Sequence, residues 1–289
     1  MELISLQRDQ LTLSAYVAGE GPLVVLLHGF PDTHRSWQQQ CAALVEAGYR
    51  CLMPVMRGYD RGSARSDISF YAIESIAADV IAWLDHLNCR KAHVVGHDWG
   101  AVTAYIVAAT YADRVQSLST LAIPHGSAMR AGIRKHPIQI LNSSYMLLFQ
   151  WRGFAEWVAA RKDYAFIRFL WRRWSPNLHN STAAVDEVID ALQQPQVLTA
   201  TLNYYRAYFS RRYRPQASVF TGALSVPTQM IAGGTDGCMN IGLYDWIEPS
   251  AFACEWRIER LPHAGHFMQL EAPEAVNQLL LEWIQAHAE

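Results

Sequence analysis

The sequence predicts an α/β fold: a mostly parallel sheet with helices on both faces and one large helical insertion. Three observations carry that expectation. Short apolar runs at Leu23–Leu27, Cys51–Val55 and Val94–Val95 suit strands buried on both faces. Segments with apolar residues at helical spacing, Trp37–Ala47 and Tyr71–Leu87, lie between them, and strands alternating with helices build a parallel sheet covered on both sides. From about Gly126 to Gly222 the chain is dense in Trp, Tyr, Phe and Arg, helical in period and free of any buried-strand run.

Taken in order, Leu11–Val17 has the period-two alternation of a half-buried strand, and Leu118–Pro124 closes the first run of strands. After the insertion the strand signature returns at Val226–Gly234. It is followed by a helical candidate at Ile241–Trp246, a strand candidate at Cys254–Ile258 and a final helix at Pro273–Ala286. The expected division is therefore one sheet domain made of residues 1–125 and 222–289, and a helical domain at 126–221.

The composition bounds the remaining choices. With 289 residues, 51% of them hydrophobic, the chain can bury a large core and is not a disordered protein. A formal net charge of −2 gives no general reason to bind nucleic acid or an anionic membrane. The most basic stretches, Trp171–Trp174 and Arg211–Arg214, read as solvated helix faces or segment ends. Residues 1–9 lack the basic and apolar regions of a signal peptide and no run reaches transmembrane length, so the expected compartment is the cytoplasm. Cys41, Cys51, Cys89, Cys238 and Cys254 are scattered and without CxxC spacing, which indicates reduced thiols and neither a disulfide framework nor a zinc site.

The sharpest motif is Val94-Val95-Gly96-His97-Asp98-Trp99-Gly100, an apolar run that turns through a glycine-flanked residue into the helix-like stretch Ala101–Thr110. It has the form of a nucleophile elbow with aspartate in place of serine. An aspartate near its reference pKa is already an anion at neutral pH and attacks an alkyl carbon directly, giving an ester of the enzyme's own carboxylate. The competing explanation is a simple N-cap, since aspartate is a favoured capping residue.

Four further segments accompany the elbow: His28-Gly29-Phe30-Pro31-Asp32 directly after Leu23–Leu27; Thr235-Asp236-Gly237 after the strand ending at Gly234; His263-Ala264-Gly265-His266-Phe267 before the last helix; and, in the insertion, the pair Ser144–Gln150 and Leu202–Arg206. Together with the order of elements they resemble the α/β-hydrolase superfamily, in its epoxide hydrolase branch, over essentially the whole chain. The resemblance implies a helical cap over an α/β-hydrolase core and hydrolysis of an epoxide to a vicinal diol. In it Asp98 is the nucleophile, Asp236 orients His266, and His266 activates water. The backbone N–H groups of Phe30 and Trp99 form the oxyanion hole, with His28, Gly29 and Pro31 shaping its loop. Tyr145 and Tyr205 supply protons to the epoxide oxygen, with Tyr204 the competitor for the second role and His263 the second choice for the histidine.

No cofactor or metal is implied. The expected partners are a small apolar or aryl epoxide and water; a second copy of the chain is the one protein partner the reading allows. The substituent preference is drawn from Phe149, Trp151, Phe154, Trp157 and Phe169. The same nucleophile would serve a haloalkane or haloacid dehalogenase, although Phe30 stands where the haloalkane branch often has asparagine and Trp99 where fluoroacetate-type enzymes carry arginine. A non-catalytic ligand binder is the reading from another class. His125 and Met56 depart from the pattern; His125, where the chain enters the insertion, either lines the pocket or makes a structural hydrogen bond at the hinge, and Met56 is read as packing near the elbow.

Overall fold

A computed structural model describes residues 1–214 and 221–288. Residues 215–220 of the expected helical domain lie outside the described residues. The strands β1 (Glu2–Arg8), β2 (Leu11–Ala18), β3 (Leu23–Leu27), β4 (Arg50–Pro54), β5 (Ala92–His97), β6 (Val115–Leu121), β7 (Thr228–Gly233) and β8 (Trp256–Leu261) form one sheet in the order β1-β2-β4-β3-β5-β6-β7-β8. The β1–β2 and β2–β4 pairs are antiparallel and every later pair is parallel.

Alternation along β3 shows how the sheet is covered. Val25 and Leu27 join one apolar cluster with α2 (Ile73–His86) and α3 (Trp99–Thr110), while Val24 and Leu26 join another with α1 (Gln38–Glu46) and α11 (Pro273–Ala286). Successive side chains of a strand point to opposite faces, so a run of five apolar residues is what a doubly covered strand requires. The α3 helix is buried from Trp99 through Ala108, which its all-round apolar sequence permits.

Between β6 and β7 the regular elements among the described residues are helices. The elements are α4 (Ser127–Lys135), α5 (Ile138–Asn142), α6 (Tyr145–Leu148), α7 (Phe154–Trp174), α8 (Thr182–Leu192) and α9 (Val197–Phe209), with no strand among the described residues of this stretch. The α7 backbone is broken at Arg161–Tyr164, where Lys162, Asp163 and Tyr164 take positive φ. A short helix α10 (Met268–Glu271) precedes α11. No helix among the described residues is long and apolar enough to cross a membrane.

Three expectations shift. Residues 2–8, read only for a leader, form the edge strand β1, whose outer side is exposed and whose alternation is correspondingly weak. The final strand begins at Trp256, two residues after the expected start, and Ile241–Trp246 is a 3-10 helix.

Candidate active site

Asp98 directly follows β5 with φ 52° and ψ −119°, a conformation outside the regions that a side chain ordinarily tolerates. The turn exists because two glycines let backbone meet backbone. A Cβ on Gly96 would collide with the Gly100 carbonyl, and one on Gly100 with the Leu27 carbonyl oxygen. Although Asp98 begins α3, with its C=O accepting from Val102 N–H at 3.0 Å, its side chain makes no capping bond. Asp98 Oδ1 instead accepts from the Phe30 backbone N–H at 2.8 Å, across to the loop after β3.

That loop is held by His28. Its Nε2 accepts from Met56 N–H at 3.0 Å and its Nδ1 faces Gly29 O at 3.1 Å, so the ring is neutral with its proton on Nδ1; burial pushes its pKa down to about 4. Gly29 leaves room for the carboxylate, since a Cβ there would sit 2.5 Å from Asp98 Oδ1. The Phe30–Pro31 peptide is cis, and Pro31 O accepts from Trp171 Nε1 at 2.8 Å.

Asp98 Oδ2 lies 3.5 Å from His266 Nε2, and His266 Nδ1 lies 3.0 Å from Asp236 Oδ2. The other Asp236 oxygen accepts from the N–H groups of Cys238 and Met239 at 2.7 and 2.9 Å, which fixes the carboxylate. The His266 loop is tied to the end of α7, where its N–H donates to Trp174 O at 2.9 Å and Phe267 N–H donates to Ser175 Oγ at 2.8 Å. Burial alone would favour neutral His266, but the Asp236 charge and hydrogen bond, followed by those of Asp98, carry its pKa up to about 10. Burial likewise opposes the Asp98 anion, and His266 outweighs it, holding the carboxyl below its usual range. The free site is thus an imidazolium between two carboxylates.

Opposite Asp98 a mostly apolar cavity of about 100 Å³ is lined by Asp98, Trp99, Tyr145, Tyr205, Cys238 and neighbours. The Tyr145 and Tyr205 rings meet edge to face with centroids 5.7 Å apart. Burial raises both phenols well above their ordinary pKa, and the charge of Asp98 adds to the effect, so both keep their protons. The buried Tyr205 Oη has no hydrogen-bond partner among the described residues, whereas Tyr145 Oη approaches Cys238 Sγ at 3.7 Å.

The whole arrangement, from β3 to the residue opening α11, coincides with a match to the alpha/beta hydrolase fold family model over residues 22–273. The chain belongs to the α/β-hydrolase family. Over 278 residues this hydrolase is 34% identical to the AB hydrolase superfamily protein YfhM of Bacillus subtilis, covering 95% of each chain. Over 302 residues it is 31% identical to epoxide hydrolase A of Mycobacterium tuberculosis, covering 92% of each. The solved epoxide hydrolase A of Mycobacterium thermoresistibile superposes with a TM-score of 0.80 at 26% identity, covering 98% of each chain. The epoxide hydrolase branch expected from the motifs is the branch to which the two Mycobacterium proteins belong by name.

The α/β-hydrolase geometry separates several residues that the sequence left in competition. The N-cap explanation of Asp98 fails because its carboxylate points away from α3. Tyr204 Oη donates to Arg57 O at 2.7 Å and so is engaged elsewhere, leaving Tyr205 at the cavity. His263 is exposed, and its backbone O accepts from Asn177 Nδ2 at 2.8 Å; it is not part of the site. His125 packs against Tyr105 and Phe252 with Nδ1 3.0 Å from Ser127 Oγ, outside the cavity lining. Met56 acts through its N–H on His28.

One expectation is corrected. Of the five aromatics read as a substituent pocket, only Phe149 is buried beside the site, with its ring 5.0 Å from that of Tyr205. Trp151, Phe154, Trp157 and Phe169 are exposed. Helical spacing gives the face on which a residue lies but not which face meets the core when both carry aromatics. Two features of the site carry no motif: Cys238, marked only by its position two residues after Asp236, and the pair behind the site, where His97 Nε2 lies 2.9 Å from His266 O and Nδ1 lies 3.6 Å from Asp32 Oδ2.

Proposed function

We propose that this chain hydrolyses epoxides to vicinal diols through an ester on Asp98. The observation that carries the reading is the shared cavity: a carboxylate anion faces two protonated tyrosines, one with its hydroxyl unpartnered, across a largely apolar space. The helices α4 to α9 act as the lid that brings the tyrosines over the core. Tyr145 and Tyr205 bind the epoxide oxygen, and Asp98 attacks a ring carbon from the opposite side. The C–O bond breaks, and a tyrosine proton goes to the departing alkoxide. The product of this step is a hydroxyalkyl ester.

Ester formation removes the negative charge of Asp98. His266 then loses one of the two carboxylates that hold it protonated, its pKa falls toward the range of a general base, and its proton passes through solvent to the tyrosinate left by ring opening, so that the phenol is restored and the imidazole is neutral. Water attacks the Asp98 carbonyl carbon while His266 takes its proton and Asp236 steadies the resulting imidazolium. The Phe30 N–H, already aimed at Oδ1, and the Trp99 N–H hold the oxyanion. Collapse frees the diol and regenerates the carboxylate, with no metal or organic cofactor in the cycle.

The test is a single turnover of styrene oxide in heavy-oxygen water. The expected result is unlabelled diol, label retained in Asp98, and loss of turnover in the Tyr145→Phe/Tyr205→Phe double variant. Release of bromide from 1-bromobutane with the tyrosines dispensable, and no epoxide turned over, would instead make the chain a dehalogenase.

A further inference from the structure

Among the described residues, most of the large exposed apolar side chains lie on one part of the protein, the outer side of the helices from α5 to α7. Leu147, Trp151, Phe154 and Trp157 are 64%, 67%, 46% and 54% exposed, and Leu141 and Phe169 are comparably bare. The aromatics form a continuous surface: Trp151 lies 5.9 Å from Phe154, and Phe154 stacks at 5.8 Å on Trp157. A neighbouring outward groove of about 340 Å³ includes Leu141, Phe169 and Arg173. Solvated proteins rarely leave an apolar patch of this kind bare unless something covers it.

Its charge identifies the occupant. Between Ser127 and Trp174 the sequence holds nine Lys and Arg residues and only two acids, Glu156 and Asp163, although the whole chain has a formal charge of −2. Both acids are already paired, Glu156 with Arg206 at 2.8 Å and Asp163 with Arg168 at 2.9 Å. Arg152, Arg161, Lys162, Arg172 and Arg173 are exposed, and the Arg161 guanidinium lies 4.4 Å over the Trp157 ring. Exposed tryptophan and phenylalanine among basic residues that have no carboxylate partner among the described residues is the chemistry of an anionic lipid surface, where rings enter the headgroup boundary and cations meet phosphate. A second copy docked about a two-fold axis would set this basic face against itself.

We infer that this face docks the protein peripherally on anionic bilayers. The net charge near zero conceals the site, because the acids that balance it lie elsewhere in the chain. The inference concerns the surface alone and does not depend on the reaction proposed above.

The full chain is mixed with phosphatidylcholine vesicles with and without phosphatidylglycerol and followed by flotation and tryptophan emission. The expected result is binding only to the anionic vesicles, a blue shift on binding, and weakening as salt rises. Trp151→Ala/Trp157→Ala and Arg152→Glu/Lys162→Glu should each reduce binding by about tenfold or more, with far-UV circular dichroism and turnover of a water-soluble substrate unchanged. No flotation at low salt, or undiminished flotation of both variants, overturns the inference. Tighter binding to double-stranded DNA than to the vesicles overturns it in favour of a nucleic-acid face, and a dimer that the tryptophan variant dissociates overturns it in favour of a second copy.

Discussion

Tyr204 and Tyr205 are consecutive in α9, yet their hydroxyls serve different ends: Tyr204 Oη donates to Arg57 O at 2.7 Å, while Tyr205 Oη stands at the cavity with no hydrogen-bond partner among the described residues. Adjacent helical positions diverge by about 100°, so a one-residue shift changes the role of a tyrosine completely. Tyr205→Phe should lower kcat by about 10²-fold, the scale of a general-acid contribution, with little change in stability. Tyr204→Phe should leave kcat nearly intact and cost about 1–3 kcal/mol, because the Arg57 carbonyl loses its partner. Steady-state kinetics and urea unfolding of the two variants separate these outcomes; similar kinetic losses would remove the distinction.

The His266 imidazolium owes its raised pKa first to Asp236 and then to Asp98. Asp98→Asn should therefore lower the His266 pKa from about 10 while leaving it above the ordinary histidine value, since Asp236 remains. NMR titration of the imidazole reads this directly. An unchanged pKa in Asp98→Asn would show that the two groups are not coupled and would remove the charge-loss step from the proposed mechanism.

Stability should peak near pH 6.5, the ordinary histidine pKa. Burial holds His28, His93 and His125 neutral, with pKa values near 4, so the unfolded chain binds more protons as pH falls from about 6.5 to 4 and stability drops. His266 works in the opposite direction: its contribution is complete below about 6.5 and is lost as pH rises through about 10. Melting temperature measured across this range should fall on both sides, and a flat profile on the alkaline side would contradict the His266 ion pair.

Gly100→Ala should cost about 3 kcal/mol or more, because its Cβ meets the Leu27 carbonyl oxygen and neither backbone can yield without opening the sheet. Gly153→Ala isolates backbone strain from collision: φ is +77° but nothing lies within 4 Å of the added carbon, so the expected cost is about 1–2 kcal/mol. Equal urea midpoints for the two variants would show that close packing is not what the elbow glycine provides.

What could be read from the sequence follows from where the physics is local. The buried strand β3 and the helix α11 have the expected boundaries because five apolar residues, and a proline-led amphipathic run, each specify one solution. The elbow was legible because only glycine fits at Gly96 and Gly100. β1 was not, because an edge strand with one bare side carries a diluted pattern. The four outward aromatics were misplaced because the sequence does not state that the insertion has an outer face to cover. Cys238 depends on a loop brought beside Tyr145 from almost a hundred residues away, and no spacing encodes that meeting.

The helical insertion leaves the sheet after β6 and returns at β7, and these two strands are paired neighbours, with Leu118 opposite Thr228. An excursion of about a hundred residues therefore leaves at Leu121, opposite Ile231, and re-enters at Thr228, opposite Leu118, three residues or roughly 10 Å back along the adjacent strand. Such a segment can be lengthened, shortened or exchanged for another without shifting any hydrogen bond of the sheet. Asp98, Asp236 and His266 sit on the sheet side of that seam and Tyr145 and Tyr205 on the insertion side, so a graft between those two strands would exchange the tyrosines while retaining the Asp98 carboxylate and the His266–Asp236 pair.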